Sequence, residues 1–265
     1  MIAAFDPAAS AYDREFTFSR IGMAQRHQVW RYLDPLLNTP AMEVLELNCG
    51  TGIDAVHIAR AGHHVLATDI SAEMLKIARD TARQHGVEDN IHHETLAFHE
   101  LPLRNWNARF QLALSDFGGL NCIDHDDLGA LCDPVADALD LNGRFVAVLM
   151  PDRCLSETIY FLLKGEWSEA FRRRRHDPVW AGLSGSGVHT WYHSPRAVIS
   201  AFRHRFRVVN IRPIGFFIPP SHMEPAFRTR PHLLDRLNRW DERLGHWRWP
   251  ARYADHFLID MERKA

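Results

Sequence analysis

Residues 44–55 read VLELNCGTGIDA, an apolar strand over Val44–Leu47 that runs into the glycine turn Gly50-Thr51-Gly52 and then into a helix. Glycines at such a turn allow it to be tight and let backbone approach a ligand with no Cβ in the way. The subsequence GTGIDA fits the spacing G-x-G-x-x-G/A, which by itself does not choose among adenosine-containing ligands. Two acids tilt the choice. Glu46 ends the strand where a pyrophosphate would lie, so its carboxylate suits a ligand that carries an ammonium group. Asp69 follows Gly52 by 17 residues and closes the next strand. A carboxylate there can accept both hydroxyls of a ribose.

Working outward, residues 11–37 carry Ile21, Ala24, Val29, Leu33 and Leu36 at helical steps, and Pro40 ends that region. Downstream of the turn a helix runs to Arg60, with Gly62 as its stop. The strand His64–Thr68 follows. Ser71 then caps a helix with Met74, Leu75, Ala78 and Ala82 on one face, ended by Gly86. Strands are expected at Ile91–Thr95, at Phe110–Ser115 and, after the turn Asn142-Gly143, at Arg144–Met150. Residues 127–140 are expected to be helical in part, interrupted at Pro134. Strands alternating with helices imply an α/β fold with a mostly parallel sheet.

After Met150 the rhythm changes. TIYFLLKGEW (158–167) looks helical, Arg172–Arg175 reads as a solvated basic face, GLSGSG (182–187) as a flexible link and VHTWYH (188–193) as a strand. A helix over Ser194–Phe202, strands over Phe206–Ile211 and His256–Met261, and a Pro-, Trp- and Arg-rich excursion over 213–252 complete the chain.

A net charge of −2 gives no reason to expect nucleic acid or an anionic membrane as partner. The four cysteines form no CxxC pair and no zinc spacing, so free thiols are expected. No basic and apolar leader opens the sequence and no apolar run reaches bilayer length, which makes a cytoplasmic location without a membrane span the expectation. His63-His64 and His92-His93 are adjacent on strands and point to opposite faces, and Asp116 with Asp152 only imitates a magnesium pair, so no metal is expected.

The segment ELNCGTG, with ATDISAEML and FQLALSDFGGLNC, resembles the class I S-adenosylmethionine (SAM) dependent methyltransferases of small-molecule type over residues 41–150. The resemblance implies a Rossmann-like seven-stranded, mostly parallel sheet with helices on both faces and a cap formed by late insertions. It implies SAM as cofactor and S-adenosylhomocysteine (SAH) as product. It assigns the cofactor to Glu46, Asn48, Gly50, Gly52, Asp69, Ile70, Met74 and Asp116, with Tyr12 as a lid residue. Asn48 stands where the family has its first glycine. The adenine amino group normally meets an acid near position 97; LAFHELPL has Ala97 there, so backbone at Leu96 and Ala97 is the candidate contact. Phe117, Asn121 and Trp191 are candidates for the acceptor, and His189, His193 and His222 for a general base.

The corresponding division is an N-terminal helical lid (1–40), a SAM-binding core (41–150), a cap insertion (151–193), a core helix and strand (194–212), a second cap excursion (213–252) and a final strand (253–265). The expected activity is O-, N- or C-methylation of a small-molecule acceptor by a monomer or homodimer. Two alternatives remain at this stage: an NAD(P)-dependent oxidoreductase, and a SAM-fold protein that transfers no methyl group.

Overall fold

Nine strands and eleven α-helices alternate along residues 6–183, 186–227 and 230–265, which are the residues that the computed structural model describes. The strands are β1 (Glu43–Leu47), β2 (His64–Asp69), β3 (Ile91–Thr95), β4 (Phe110–Ser115), β5 (Leu139–Leu149), β6 (Val179–Leu183), β7 (Ser186–Thr190), β8 (Phe206–Ile214) and β9 (His256–Arg263). The helices are α1 (Ala9–Tyr12), α2 (Arg20–Leu37), α3 (Ile53–Arg60), α4 (Ala72–Gln84), α5 (His125–Ala130), α6 (Cys132–Ala138), α7 (Leu155–Leu163), α8 (Trp167–Ala170), α9 (Pro195–Phe202), α10 (Glu224–Phe227) and α11 (Pro231–Leu244).

Seven strands form one sheet in the order β3-β2-β1-β4-β5-β9-β8. β1 to β5 run parallel to one another, and β9 runs antiparallel to both β5 and β8. The order reverses between β1 and β4, the switch point beyond whose carboxyl ends open α/β sheets bind ligands.

Side-chain parity puts helices on both faces. Val44, Val146 and Val148 pack with α2, α3 and α4, whereas Leu45, Leu47, Phe145 and Ala147 pack with α5, α6 and α9. Glu46 shares the parity of Val44 and therefore points to the α2 side. Helix starts follow the capping chemistry: Ser71 Oγ accepts from Met74 N–H, and Ser194 Oγ accepts from Ala197 N–H.

Three segments differ from the expectations. The N-terminal helix is broken into α1, a π-helical turn over Asp13–Thr17 and α2, whose N-cap is Ser19. β5 begins at Leu139 and runs through Asn142, at φ 66°, with a register irregularity against β4, so the expected turn is absorbed into the strand. Part of the expected link 182–187 is strand: β6 and β7 pair as an antiparallel hairpin apart from the main sheet. Among the described residues no helix is long and apolar enough to cross a membrane.

Candidate functional site

The glycine turn is set by backbone conformation. Asn48, Gly50 and Gly52 all have left-handed φ, at 52°, 54° and 79°. A Cβ on Gly52 would also fall 2.8 Å from Ala78 Cβ, so this glycine lets α4 pack against the turn. Asn48 tolerates its left-handed position because a short amide side chain is compatible with it. It then joins the ends of two strands: Asn48 Nδ2 donates to Asp116 O at 2.8 Å, and Asn48 Oδ1 accepts from Ser115 Oγ at 2.6 Å. Its amide fills the space beside Gly119, where a Cβ would sit 2.1 Å from Asn48 Cγ. The Asn that replaces the family's first glycine is thus matched by a glycine in the β4 turn.

Asp69 is buried at the end of β2. Gly50 N–H donates to one of its oxygens at 2.9 Å and Ser71 N–H to the other at 2.8 Å. Burial raises its pKa, opposed by these backbone bonds. Glu46 is buried as well, and burial pushes it up to about 8, with Asp116 adding repulsion and Arg26 opposing both. Burial also raises Asp116, again against Arg26.

Arg26 of α2 pairs with Asp54 and lies 3.9 Å from Asp116. Glu46 Oε2, Asp116 Oδ2 and Arg26 Nε have no hydrogen-bond partner among the described residues. Two orphaned carboxylate oxygens beside an orphaned guanidinium nitrogen suit a zwitterionic amino-acid group, whose ammonium and carboxylate would satisfy all three.

One cavity of about 290 Å³ begins at this point. Its donor end is lined by Tyr12, Arg26, Asn48, Gly50, Asp69 and Met74. It continues past Phe117, Gly118 and Met150 to Thr190, Tyr192 and His256. Phe117 has φ 39°, a strained value for a bulky residue, fixed in part by its N–H donating to Asp116 Oδ1 at 2.8 Å. The far wall contains an ion network. Arg173 donates at 2.7 Å to both Glu157 and Asp255, and Arg172 adds a 2.9 Å bond to Glu157. Cys154, Glu157 and Asp255 bring ligand-type atoms within 4.8 Å of one another. Arg173 already answers both carboxylates, and burial pushes the Cys154 thiol up to about 11, which leaves this group a salt-bridge network.

Residues 44–143 match the family described as methyltransferase domain. Residues 44–143 form a domain of the SAM-dependent methyltransferase kind.

The relatives that this domain resembles are several. A demethylmenaquinone methyltransferase of Clavibacter sepedonicus is 37% identical over 79 residues, 29% of this chain and 31% of that one. A ubiquinone/menaquinone biosynthesis C-methyltransferase of Acidiphilium cryptum is 32% identical over 148 residues, 53% of this chain and 55% of that one. A tRNA 5-carboxymethoxyuridine methyltransferase of Escherichia coli is 31% identical over 90 residues, 33% and 34% of the two chains. The chain therefore spans 31% to 55% of the length of these curated relatives.

Solved structures extend the fold over nearly the whole chain. A SAM-dependent methyltransferase of Methanosarcina mazei superposes with TM-score 0.60 at 14% identity, covering 88% of this chain and 97% of that one. A geranyl diphosphate C-methyltransferase of Streptomyces coelicolor, solved with SAH, gives 0.58 at 16%, covering 90% and 79%. At such identities the likeness concerns the fold alone.

Of the residues that the sequence reading assigned to cofactor or acceptor, Tyr12, Asn48, Gly50, Asp69, Met74 and Phe117 line the cavity. Glu46 and Asp116 lie behind its wall next to Arg26, which lines it. Gly52 serves helix packing. Ile70 is half exposed beside Asp69 and outside the cavity lining. Leu96 and Ala97 are buried, and their N–H groups are already used: Leu96 N–H donates to Asp69 O, and Ala97 N–H to Glu100 Oε2.

The acceptor and base candidates fare differently. Asn121 is fully buried and clamps backbone, donating to Met150 O and Trp191 O and accepting from Met150 N–H. Trp191 and His189 point away from the cavity, because alternate residues of β7 and its extension, Val188, Thr190 and Tyr192, take the inward positions. His193 is buried against Leu120 O, Ile123 O and His125, and burial holds it down at about 4. The side chain of His222 lies outside the described residues. Arg172 and Arg173 belong to the ion network, which corrects their reading as a solvated face; Arg174 and Arg175 are exposed.

Three residues escaped the sequence reading. Gln25 and Arg26 are polar positions inside the apolar stripe Ile21, Val29, Leu33 of α2, a pattern that signals a buried polar task. His256 opens an antiparallel strand that follows a run of parallel ones. Such a strand starts at the ligand edge of the sheet, and Asp255-His256 sits at that start.

Proposed function

We propose that this chain transfers a methyl group from SAM to a small-molecule acceptor. The observation that carries the reading is the single cavity joining the Gly50–Asp69 end to a mixed polar and apolar end at Phe117, Met150, Tyr192 and His256. Asp69, held by two backbone amides, has lone pairs left for the ribose hydroxyls. Met74, with Ile70 at its margin, offers the apolar contact for adenine. Arg26, at the wall, answers the carboxylate of the methionine part, and Glu46 and Asp116 behind it supply the negative charge that favours its ammonium. Tyr12 covers that part from the N-terminal segment, which is fastened to the turn by Thr51 Oγ1 donating to Asp13 Oδ1 at 2.6 Å.

When bound, SAM supplies a methyl group on a positively charged sulfur, already activated as a leaving group. The chain's share is to hold the acceptor atom in line and to keep water away, which proximity alone makes effective. The net charge of −2 favours a small molecule over the nucleic acid of one relative.

A pyrophosphate fits this turn less well. Gly50 N–H is used by Asp69, and Gly52 N–H donates to Cys49 O at 2.9 Å, so neither amide is spare for phosphate. Calorimetry with SAM, set beside fluorescence titration with NADH, tests the donor half. The expected result is binding of SAM and none of NADH. A metabolite panel scored for SAH release tests the transfer; SAM binding with no SAH from any member would leave a SAM-fold protein that does not methylate.

A further inference from the structure

If the domain methylates a small molecule, the atom that takes the methyl group is set by what lies at the acceptor end of the cavity. We propose that His256 is a general base, oriented by Asp255, and that the acceptor is therefore a hydroxyl compound of phenolic or enolic type.

The placement follows from topology. β9 is antiparallel to β5, with Phe257 paired to Leu149 at the carboxyl end of β5. The residue before it, His256, thus stands at the ligand edge of the sheet. Its ring lines the cavity and meets the ring of Phe117 edge-on, with centroids 5.2 Å apart at 80°. Phe117 belongs to the turn after β4, next to the donor end.

The partner of His256 is equally defined. His256 Nδ1 lies 3.2 Å from Asp255 Oδ2, a charge contact whose angles fall short of a hydrogen bond. Asp255 is buried, and Gln25 Nε2 donates to the same oxygen at 3.0 Å while Arg173 holds the other at 2.7 Å. His256 and Arg173 keep its carboxyl well below the usual range in spite of burial. A fixed anion beside Nδ1 favours the proton there and leaves the Nε2 lone pair for the cavity.

The other titratable groups at the wall are committed. Glu157 and Asp255 face arginines, and Asp69 faces two amides. Burial pushes both the Tyr12 hydroxyl and the Cys122 thiol up to about 12. The charged groups that bear on His256 are Asp255 beside it, Asp116 at the end of β4, Arg26 of α2 near Asp116, and Arg173 on Asp255.

A base selects the acceptor class. A neutral amine attacks through a lone pair that it already has, and loses its proton afterwards. A phenol, with a pKa near 10, is a poor nucleophile until its proton leaves. In the proposed step the acceptor O–H proton moves to His256 Nε2. An oxygen lone pair forms the O–CH₃ bond while the C–S bond breaks onto sulfur. His256 then returns the proton to solvent.

The test has two arms. In the first, ¹³C-labelled histidine NMR follows the His256 signal, assigned by its loss in His256→Gln or, should that variant not fold, by contact with the Phe117 ring. The midpoint of His256 is expected at lower pH with SAM than with SAH, since only SAM carries the sulfonium charge. Identical midpoints in the two complexes overturn the placement.

In the second arm, SAH release is measured with a panel of catechols, simple phenols and primary amines. Turnover is expected with the phenols, falling about 100-fold or more in His256→Gln. SAM affinity should be unchanged, and the rising pH limb lost. Full turnover in the variant, or turnover confined to amines, overturns the assignment. No SAH from any member counts against the methyl-transfer reading, while the NMR arm still decides whether His256 faces the methyl donor.

Discussion

Asp69 finds its partners Gly50 and Ser71 at 19 and 2 positions along the chain, whereas Asp255 finds Gln25 and Arg173 at 230 and 82. Both are buried carboxylates lining one cavity. The first belongs to a donor end built mainly on one strand–turn–helix unit and the strand beside it, closed by Tyr12 and Arg26. The second belongs to an acceptor end assembled from α2, the turn after α8, the β6–β7 hairpin and the start of β9. Loss of one contact should therefore act locally at the donor end, as lost affinity, and globally at the acceptor end, as lost stability.

The largest effect is expected for Arg173→Met. Removal of the guanidinium leaves Glu157 and Asp255 buried without their common partner, which should cost about 3–5 kcal/mol of folding stability in urea titrations. A cost under about 1 kcal/mol, the level of an exposed pair, would mean that the network does not hold the acceptor end together.

Asp69→Ala sharpens the contrast from the other side. Two ribose hydroxyls lose a charged acceptor, and SAM affinity should fall by about 2–4 kcal/mol in calorimetry. The fold should persist, with a smaller stability loss of about 1–3 kcal/mol from the two freed backbone amides. Unchanged SAM binding in a folded variant would remove Asp69 from the site.

The smallest effect is a pH dependence. Burial raises Glu46 from its ordinary 4.5 to about 8, so its neutral form is favoured by folding. That stability is full below about pH 4.5 and is lost as the pH rises through 8. Asp241, raised by burial to about 6, has already ionised in the upper part of this range. The melting temperature of the SAM-free protein should therefore fall between about pH 6 and pH 8, and fall less in Glu46→Gln. A ligand ammonium reverses the preference, so SAM binding near pH 7 should release protons in the wild type and fewer in the variant.

Much of the donor end could be read from residue order. The bounds of β3 and β4 match the strands expected from the sequence, and those of β1, β2 and α4 differ by a residue or two. The buried face of α4 is the expected set Met74, Leu75, Ala78 and Ala82. These features rest on local rules, namely strand parity, an N-cap serine and glycine at left-handed φ, which act over a few residues. A short amide suits the left-handed position of Asn48 locally, although its bonds to Ser115 and Asp116 and its match with Gly119 needed the packed structure.

The acceptor end was much less legible. Of the three histidines that the sequence suggested as base, His189 and His193 stand outside the cavity and the side chain of His222 lies outside the described residues; His256, which was not among them, lines it. An aromatic-rich stretch does not reveal which of its residues face inward; the β6–β7 hairpin decided that Thr190 and Tyr192 do and that Trp191 does not. Nor does an arginine run reveal that two of its members are spent on acids far along the chain.

The amino-acid sequence alone determined that an apolar strand would deliver Gly50 and Gly52 to a helix with acids at Glu46 and Asp69, since each of those features is an agreement between neighbours. Only the tertiary structure decided that the antiparallel return of β9 puts His256 at the ligand edge, and that Gln25 and Arg173 fix Asp255 behind it. Burial of charge is settled by which groups meet once the chain has folded, and no local pattern records that meeting.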